Sequence, residues 1–378
     1  MLDYETLRVI WWVLLGVLLI GFAVMDGFDL GIAIALPFVA KSDAERRIVI
    51  NTVGPVWEGN QVWLVLGGGA IFAAWPFVYA VAFSGFYLAM LFILWALILR
   101  PVGFTFRAKA KLAHWTTVWD WALFVSGFIP TLLFGIAVGN VMQGIPYTFD
   151  DTLRMTYSGS FFQLLSPFSL LCGCLSVAMF LMHGGIYLAI KTEGIVQKRA
   201  VKMARINGIL VIILFALAGY SMTHLPGYVV TSLIDHAGAS NPLQKEVLMT
   251  PGAWLRNYQT YHWMKAAPIL GFVGAMIAII RAHRSDCKCV MVGSAMSLVG
   301  IISTVGLSMF PFILPSSSVP NASLLVWDAS SSKLTLELML VMTIIFLPII
   351  LLYTAYVFHV FRGKITADYL ETNTKNLY

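Results

Sequence analysis

The chain has 378 residues, of which 59% are hydrophobic and only 11% charged, less than half the roughly 25% charged share of an ordinary soluble domain. That composition excludes a soluble enzyme and indicates a polytopic helical membrane protein. The net charge of +6 is spread over short loops, so it gives no sign of a nucleic-acid partner and instead reports orientation.

The opening Met1-Leu2-Asp3-Tyr4-Glu5 is acidic and the apolar run after it is too long for an h-region, so no cleaved signal peptide is expected. The first span is predicted over about Arg8 to Ala40, longer than a hydrocarbon core of about 30 Å requires. Asp26 and Asp29 lie past its midpoint, and at i,i+3 they share one helix face. After the polar loop Lys41–Arg47, a second span begins near Asn51 and carries Pro55-Val56-Trp57-Glu58-Gly59-Asn60-Gln61-Val62-Trp63. Trp75-Pro76 is the predicted turn into a third span, about Phe77 to Leu99, ending in Arg100-Pro101. The fourth span covers about Thr117 to Val138, with Asp120 near its start. The fifth covers about Phe161 to Ile190 and the sixth about Ile206 to Met222. The long connection from Thr223 to Tyr261 is expected to be an ordered cap. The seventh and eighth spans are about Ala266 to Ile280 and Val290 to Leu314, and the ninth about Leu334 to Phe361.

The expected fold is therefore all-α, with nine transmembrane helices arranged as two four-helix bundles (residues 1–140 and 141–315) plus a peripheral ninth helix and tail (316–378). The loops after spans one, three, five and seven, with the C-terminal tail, hold 18 of the 24 Lys and Arg. By the positive-inside rule the N-terminus is periplasmic and the C-terminus cytoplasmic. Asp26, Asp29, Glu58, Arg100 and Asp120 then fall in the cytoplasmic half of the membrane. A weak internal repeat aligns Gly16…Met25-Asp26-Gly27 with Gly173…Met182-His183-Gly184.

A carboxylate kept inside a span costs about 2.5–3.5 kcal/mol or more, so these residues need partners. Two readings stand: ion pairs that staple helices, and a proton pathway of Glu58, Asp26 and Asp29 supported by Arg100, Gln61, Asn60 and Asp120. Because Asp29 lies one turn nearer the cytoplasm, it is expected to pair with Arg100, leaving Asp26 as the relay. Trp57 and Trp63 read either as helix packing or as a pocket for a flat apolar molecule such as a quinone. Among the histidines only His183 lies well inside a span, which argues against an axially ligated haem on this chain. Cys172 and Cys174 read as small buried hydrophobes. Cys287 and Cys289 flank Lys288 near His283 without completing a metal set.

Several stretches together carry a family resemblance: Asp26-Gly27-Phe28-Asp29, Trp57-Glu58-Gly59-Asn60-Gln61-Val62-Trp63, Ala80-Val81-Ala82-Phe83-Ser84-Gly85-Phe86-Tyr87, Arg100-Pro101, Met309-Phe310-Pro311-Phe312 and Asn376-Leu377-Tyr378. The chain resembles, along its whole length, subunit II of the cytochrome bd-type ubiquinol oxidases. The resemblance implies a bacterial inner-membrane complex that oxidises quinol and reduces oxygen to water without pumping protons. It implies haem b and haem d in a homologous subunit I and none here, a small single-span subunit, and a structural ubiquinone. It also implies that the acid at Glu58 helps deliver protons from the cytoplasm. Where relatives often carry an acid a few residues after Arg100, this chain has Thr105. The competing readings from the residues are a proton-coupled secondary transporter, suggested by Gly67-Gly68-Gly69, and a purely structural scaffold.

Overall fold

In the computed structural model, residues 2–110, 113–282 and 289–366 are described. His283, Cys287, Lys288 and Asn376–Tyr378, all singled out above, lie outside that set. Among the described residues, eight helices are long and apolar enough to cross a membrane.

The predicted first span is two helices, α1 (Tyr4–Met25) and α2 (Gly27–Val39), that meet at Asp26. The residues assigned to the start of the second span form a separate amphipathic helix, α3 (Asp43–Val53). A capping box fixes its start: Glu45 N–H donates to Ser42 Oγ, and Glu45 Oε2 accepts from the Ser42 amide. Pro55 follows Gly54, and α4 (Trp57–Ala74) begins there. Its polar onset, Glu58-Gly59-Asn60-Gln61, keeps α4 out of the eight most apolar helices, although it packs along α1 like one. The third predicted span is also two pieces. Pro76, free of any need for an N–H at the first helical position, opens α5 (Pro76–Gly85), and α6 (Tyr87–Arg107) continues after Phe86.

The next spans follow expectation with shifted ends: α7 (Ala113–Gln143) is longer at both ends, α8 (Pro167–Lys191) starts later than the expected Phe161, and α9 (Gly194–Ser221) starts well before the expected Ile206. The connection after α9 is ordered, with β3 (Pro226–Val230) and β4 (Val247–Pro251) paired antiparallel and a short α10 (Arg256–Thr260). Then come α11 (Ala266–Arg281), α12 (Cys289–Met309) and α13 (Lys333–Val360). Two further antiparallel pairs, β1 (Tyr147–Phe149) with β2 (Met155–Tyr157) and β5 (Phe312–Leu314) with β6 (Leu324–Leu325), join the first hairpin in one cap. Side chains lock this cap to the helix ends. Trp254 Nε1 donates to Met142 O at 3.0 Å, Tyr228 Oη to Gln143 O at 3.0 Å, and Tyr147 Oη to Leu314 O at 2.7 Å.

Two helices cross at the centre with almost no space between backbones. A Cβ on Gly31 of α2 would collide with the Phe180 carbonyl of α8, and one on Gly184 would stand 2.9 Å from Gly31 C. Only glycine at both positions allows this approach. By contrast α13 touches mainly α1 and α4, and most of its length, such as Leu338, Ile345 and Leu352, stays exposed.

Candidate functional site: carboxylates at a helix break and an exposed groove

The break between α1 and α2 places Asp26 at the C-terminal end of one helix and the N-terminal end of the other. Its side chain is fully buried and meets Arg100 of α6, which is 1% exposed. Arg100 Nη1 donates to Asp26 Oδ1 at 2.7 Å and Nη2 to Oδ2 at 3.5 Å. The pairing expected from the sequence is therefore corrected: Arg100 holds Asp26, not Asp29. The sequence argument treated the span as one continuous helix and ranked the acids by depth, whereas Asp26 is the junction itself.

Asp29, one turn into α2, is 3% exposed and accepts from Asn60 Nδ2 of α4 at 2.7 Å. Among the described residues its other oxygen, Oδ1, has no hydrogen-bond partner, and neither do Arg100 Nε and Trp57 Nε1. Asp29 also lines a partly open void of about 10 Å³ walled by Ile32, Val49, Phe104 and Leu123, close to the smallest space that holds one water. The centre thus holds a matched ion pair beside a carboxylate with a carboxamide donor, and spare hydrogen-bonding capacity on three groups.

Glu58 is not part of this buried set. It is exposed, and no hydrogen bond among the described residues joins it to Asp26 or Asp29. Helix geometry explains the split, because two residues at 100° each put Glu58 and Asn60 some 200° apart around α4. Asn60 points inward to Asp29, while Glu58 and Gln61 line an open groove of about 580 Å³ against Leu94, Leu97 and Pro101 of α6.

Trp57 lines the same groove as Glu58, whereas Trp63 lies on another side of α4. Six residues apart, they sit about 120° apart on the helix. Trp57 packs its ring 5.3 Å from Phe104, whereas Trp63 fills the space left by Gly21 of α1.

Asp120 also belongs elsewhere. Its Oδ1 accepts from Arg107 Nε at 2.7 Å and its Oδ2 from Arg46 Nη1 at 2.7 Å, while Arg107 Nη2 reaches Asp43 Oδ1 at 2.8 Å. This second cluster ties α3, α6 and α7 together at the basic end of the bundle. Sequence reasoning missed Arg46, Arg107 and Asp43. The signal available was that Arg107 and Asp120 flank one short connection between antiparallel helices.

His183 is the one histidine deep in a span, and both its ring nitrogens are engaged, Nδ1 with Ser294 Oγ at 2.8 Å and Nε2 with Val24 O at 2.9 Å. Among the described residues no three His, Cys, Asp or Glu side chains gather as a metal site.

The family described as cytochrome bd terminal oxidase subunit II matches residues 7–361. The chain is 48% identical over 379 residues to the cytochrome bd-I ubiquinol oxidase subunit 2 of Escherichia coli K12, covering all of both chains. It is 48% identical, again end to end, to a probable cytochrome oxidase subunit 2 of Haemophilus influenzae. It is 30% identical to the cytochrome bd ubiquinol oxidase subunit 2 of Bacillus subtilis, over 96% of this chain and 97% of that one. Among solved structures, a chain of the bd oxidase from Geobacillus thermodenitrificans superposes with a TM-score of 0.69 at 16% identity, covering 94% of this chain and 98% of that one, and so shares the fold. With its matched length and its polar residues in the expected helices, the chain belongs to the cytochrome bd terminal oxidase subunit II family.

Proposed function

We propose that this chain is the haem-free membrane subunit of a bd-type terminal oxidase, which oxidises ubiquinol and reduces oxygen to water in aerobic respiration at a bacterial inner membrane. The observation that carries the reading is Glu58, a carboxylate exposed on a groove whose other lining is almost wholly apolar. Left facing lipid, it would cost about 2.5–3.5 kcal/mol or more. A homologous haem-bearing subunit I docked on the α4–α6 face removes that cost and gives Glu58 a use. Reducing oxygen to water consumes protons, and a carboxylate at the subunit boundary can take one from the cytoplasmic side and pass it to the partner. Haem b and haem d belong to subunit I in this reading, and supply the electron transfer and oxygen chemistry there. The buried set has a supporting part: Asp26 is fixed by Arg100, and Asp29, with a free oxygen beside a water-sized void, is the acid able to exchange protons.

In this reading α4 counts as a ninth span, the N-terminus is periplasmic and the basic end is cytoplasmic, as the distribution of Lys and Arg supports. A small single-span subunit completes the complex, and no quinone is placed between Trp57 and Trp63. The family match carries the oxidase reading over a proton-coupled transporter or a bare scaffold. The test is purification from native membranes followed by a reduced-minus-oxidised spectrum. Copurifying b- and d-type haem is expected; a chain isolated without any haem protein would sink the proposal.

A further inference from the structure

His183 is the residue that the internal repeat sets against Asp26, and the structure brings the two regions into contact. The crossing at Gly31 and Gly184 presses α8 against α2 so closely that His183 reaches past α2 to the last turn of α1. There α1 makes its final backbone bond, from Asp26 N–H to Phe22 O, and α2 begins its own with Leu30 N–H to Asp26 O. Carbonyls in the last turn of a helix lack donors from a continuing chain. A backbone carbonyl can only accept, so at Val24 O it is His183 Nε2 that carries the hydrogen, at 2.9 Å. In the neutral ring Nδ1 is then an acceptor facing the Ser294 Oγ of α12 at 2.8 Å, and the one hydrogen of that hydroxyl is shared between Nδ1 and Met291 O, 3.0 Å away. The ring is fully buried and flanked by Phe28, whose centroid lies 6.0 Å away and which stacks on Tyr187 one turn along α8.

We infer that His183 is a positioning residue for the buried carboxylates: its Nε2–H latches the broken end of α1, and Ser294 fixes the ring that does so. The latch holds the α1–α2 junction at the angle that presents Asp26 to Arg100 and Asp29 to Asn60. Among the described residues no hydrogen bond joins His183 to either acid, so it acts through the backbone of the break. A glutamine at this position carries an amide N–H at nearly the same reach and should serve, whereas leucine fills the space without a donor.

The inference rests on the proposed proton supply only where turnover is concerned, so two readouts are needed on the purified complex. Hydrogen–deuterium exchange of the peptide covering residues 24–30 reads the junction directly, and oxygen consumption per haem reads its use. For His183→Leu the exchange should rise about tenfold, the effect of losing one such bond, and turnover should fall. His183→Gln should restore both to near the parent values. If His183→Leu yields too little complex, Ser294→Ala, which frees the ring while keeping it, should raise the same exchange by a smaller factor. Exchange at the parent level in the leucine or alanine variant overturns the inference, as does a glutamine variant that behaves like leucine. Raised exchange with unaltered turnover upholds the latch and counts instead against Asp26 and Asp29 serving proton supply.

Discussion

Replacing Asp26 by Asn isolates the central ion pair. Both side chains are withdrawn from solvent, 1% exposed for Arg100 and 0% for Asp26, and the contact is a two-point one at 2.7 and 3.5 Å. The asparagine keeps one acceptor but removes the charge, leaving the guanidinium buried and uncompensated. Breaking a buried pair from one side costs about 3–5 kcal/mol, and Arg100 Nε already lacks an acceptor, so nothing nearby absorbs the loss. Folded proteins hold only about 5–15 kcal/mol in all, and the variant should assemble poorly. Asp29→Asn is a milder change. Its carbonyl oxygen can still accept from Asn60, and the expected cost is that of one buried unpaired N–H, about 1–3 kcal/mol. The assay is heating of the detergent-purified complex followed by size exclusion, with the monodisperse fraction read against temperature. Asp26→Asn should lose assembly at a lower temperature than Asp29→Asn, and both below the parent. The double change Asp26→Leu with Arg100→Leu should recover much of the loss, because two apolar groups leave no buried charge. A parent-like Asp26→Asn, or an Asp29→Asn that is the worse of the two, would refute the reasoning.

Glu58→Gln should leave haem content and assembly near normal, since the side chain is exposed in the isolated chain, yet slow oxygen consumption on the order of 100-fold, as loss of a positioned proton donor does; unchanged turnover would remove Glu58 from the proton route. Asp120→Asn should lower the yield of intact complex by removing the carboxylate of Arg46 and leaving Arg107 with Asp43 alone, with turnover per haem unaltered, and reduced turnover at normal yield would move Asp120 into the functional set. In the cap, burial raises the Asp328 carboxyl above its ordinary 3.8, and lowers the Lys245 amine from 10.5, although the two pair at 2.6 Å. The folded state therefore keeps more protons on Asp328 than the unfolded chain above pH 3.8, and stability from this group falls as pH rises towards its raised value. Lys245 works the other way, its contribution rising with pH from its lowered value up to 10.5. Lys245→Met removes the cation beside Asp328 and should steepen the acid-side trend in thermal stability; a slope equal to the parent's would contradict the pairing.

What could be read from the sequence follows from what each pattern encodes. Apolar length is a direct consequence of bilayer thickness, so most of the long helices were found with small errors at their ends, and Trp75-Pro76 marked its turn because proline opens α5. Failures arose where an apolar pattern continues through a change of element. Val49, Ile50 and Val53 of α3 are as apolar as a span, and only Ser42 and Glu45 at one end and Gly54-Pro55 at the other show that α3 is a separate helix. The site was legible as composition but not as pairing. Asp26, Asp29, Asn60 and Arg100 do gather, yet who holds whom depends on the break at Asp26 and on the rotation of α4, two quantities that residue spacing along one helix does not contain. That rotation also has a functional consequence. The same two-residue step that turns Asn60 inward to Asp29 turns Glu58 outward, so α4 presents one polar group to the bundle and one to the open groove. A helix with both polar groups inward would leave no carboxylate on the groove, and one with both outward would leave Asp29 without its Asn60 donor. The polar onset that keeps α4 from being strongly apolar is therefore the feature that lets a single helix serve both faces.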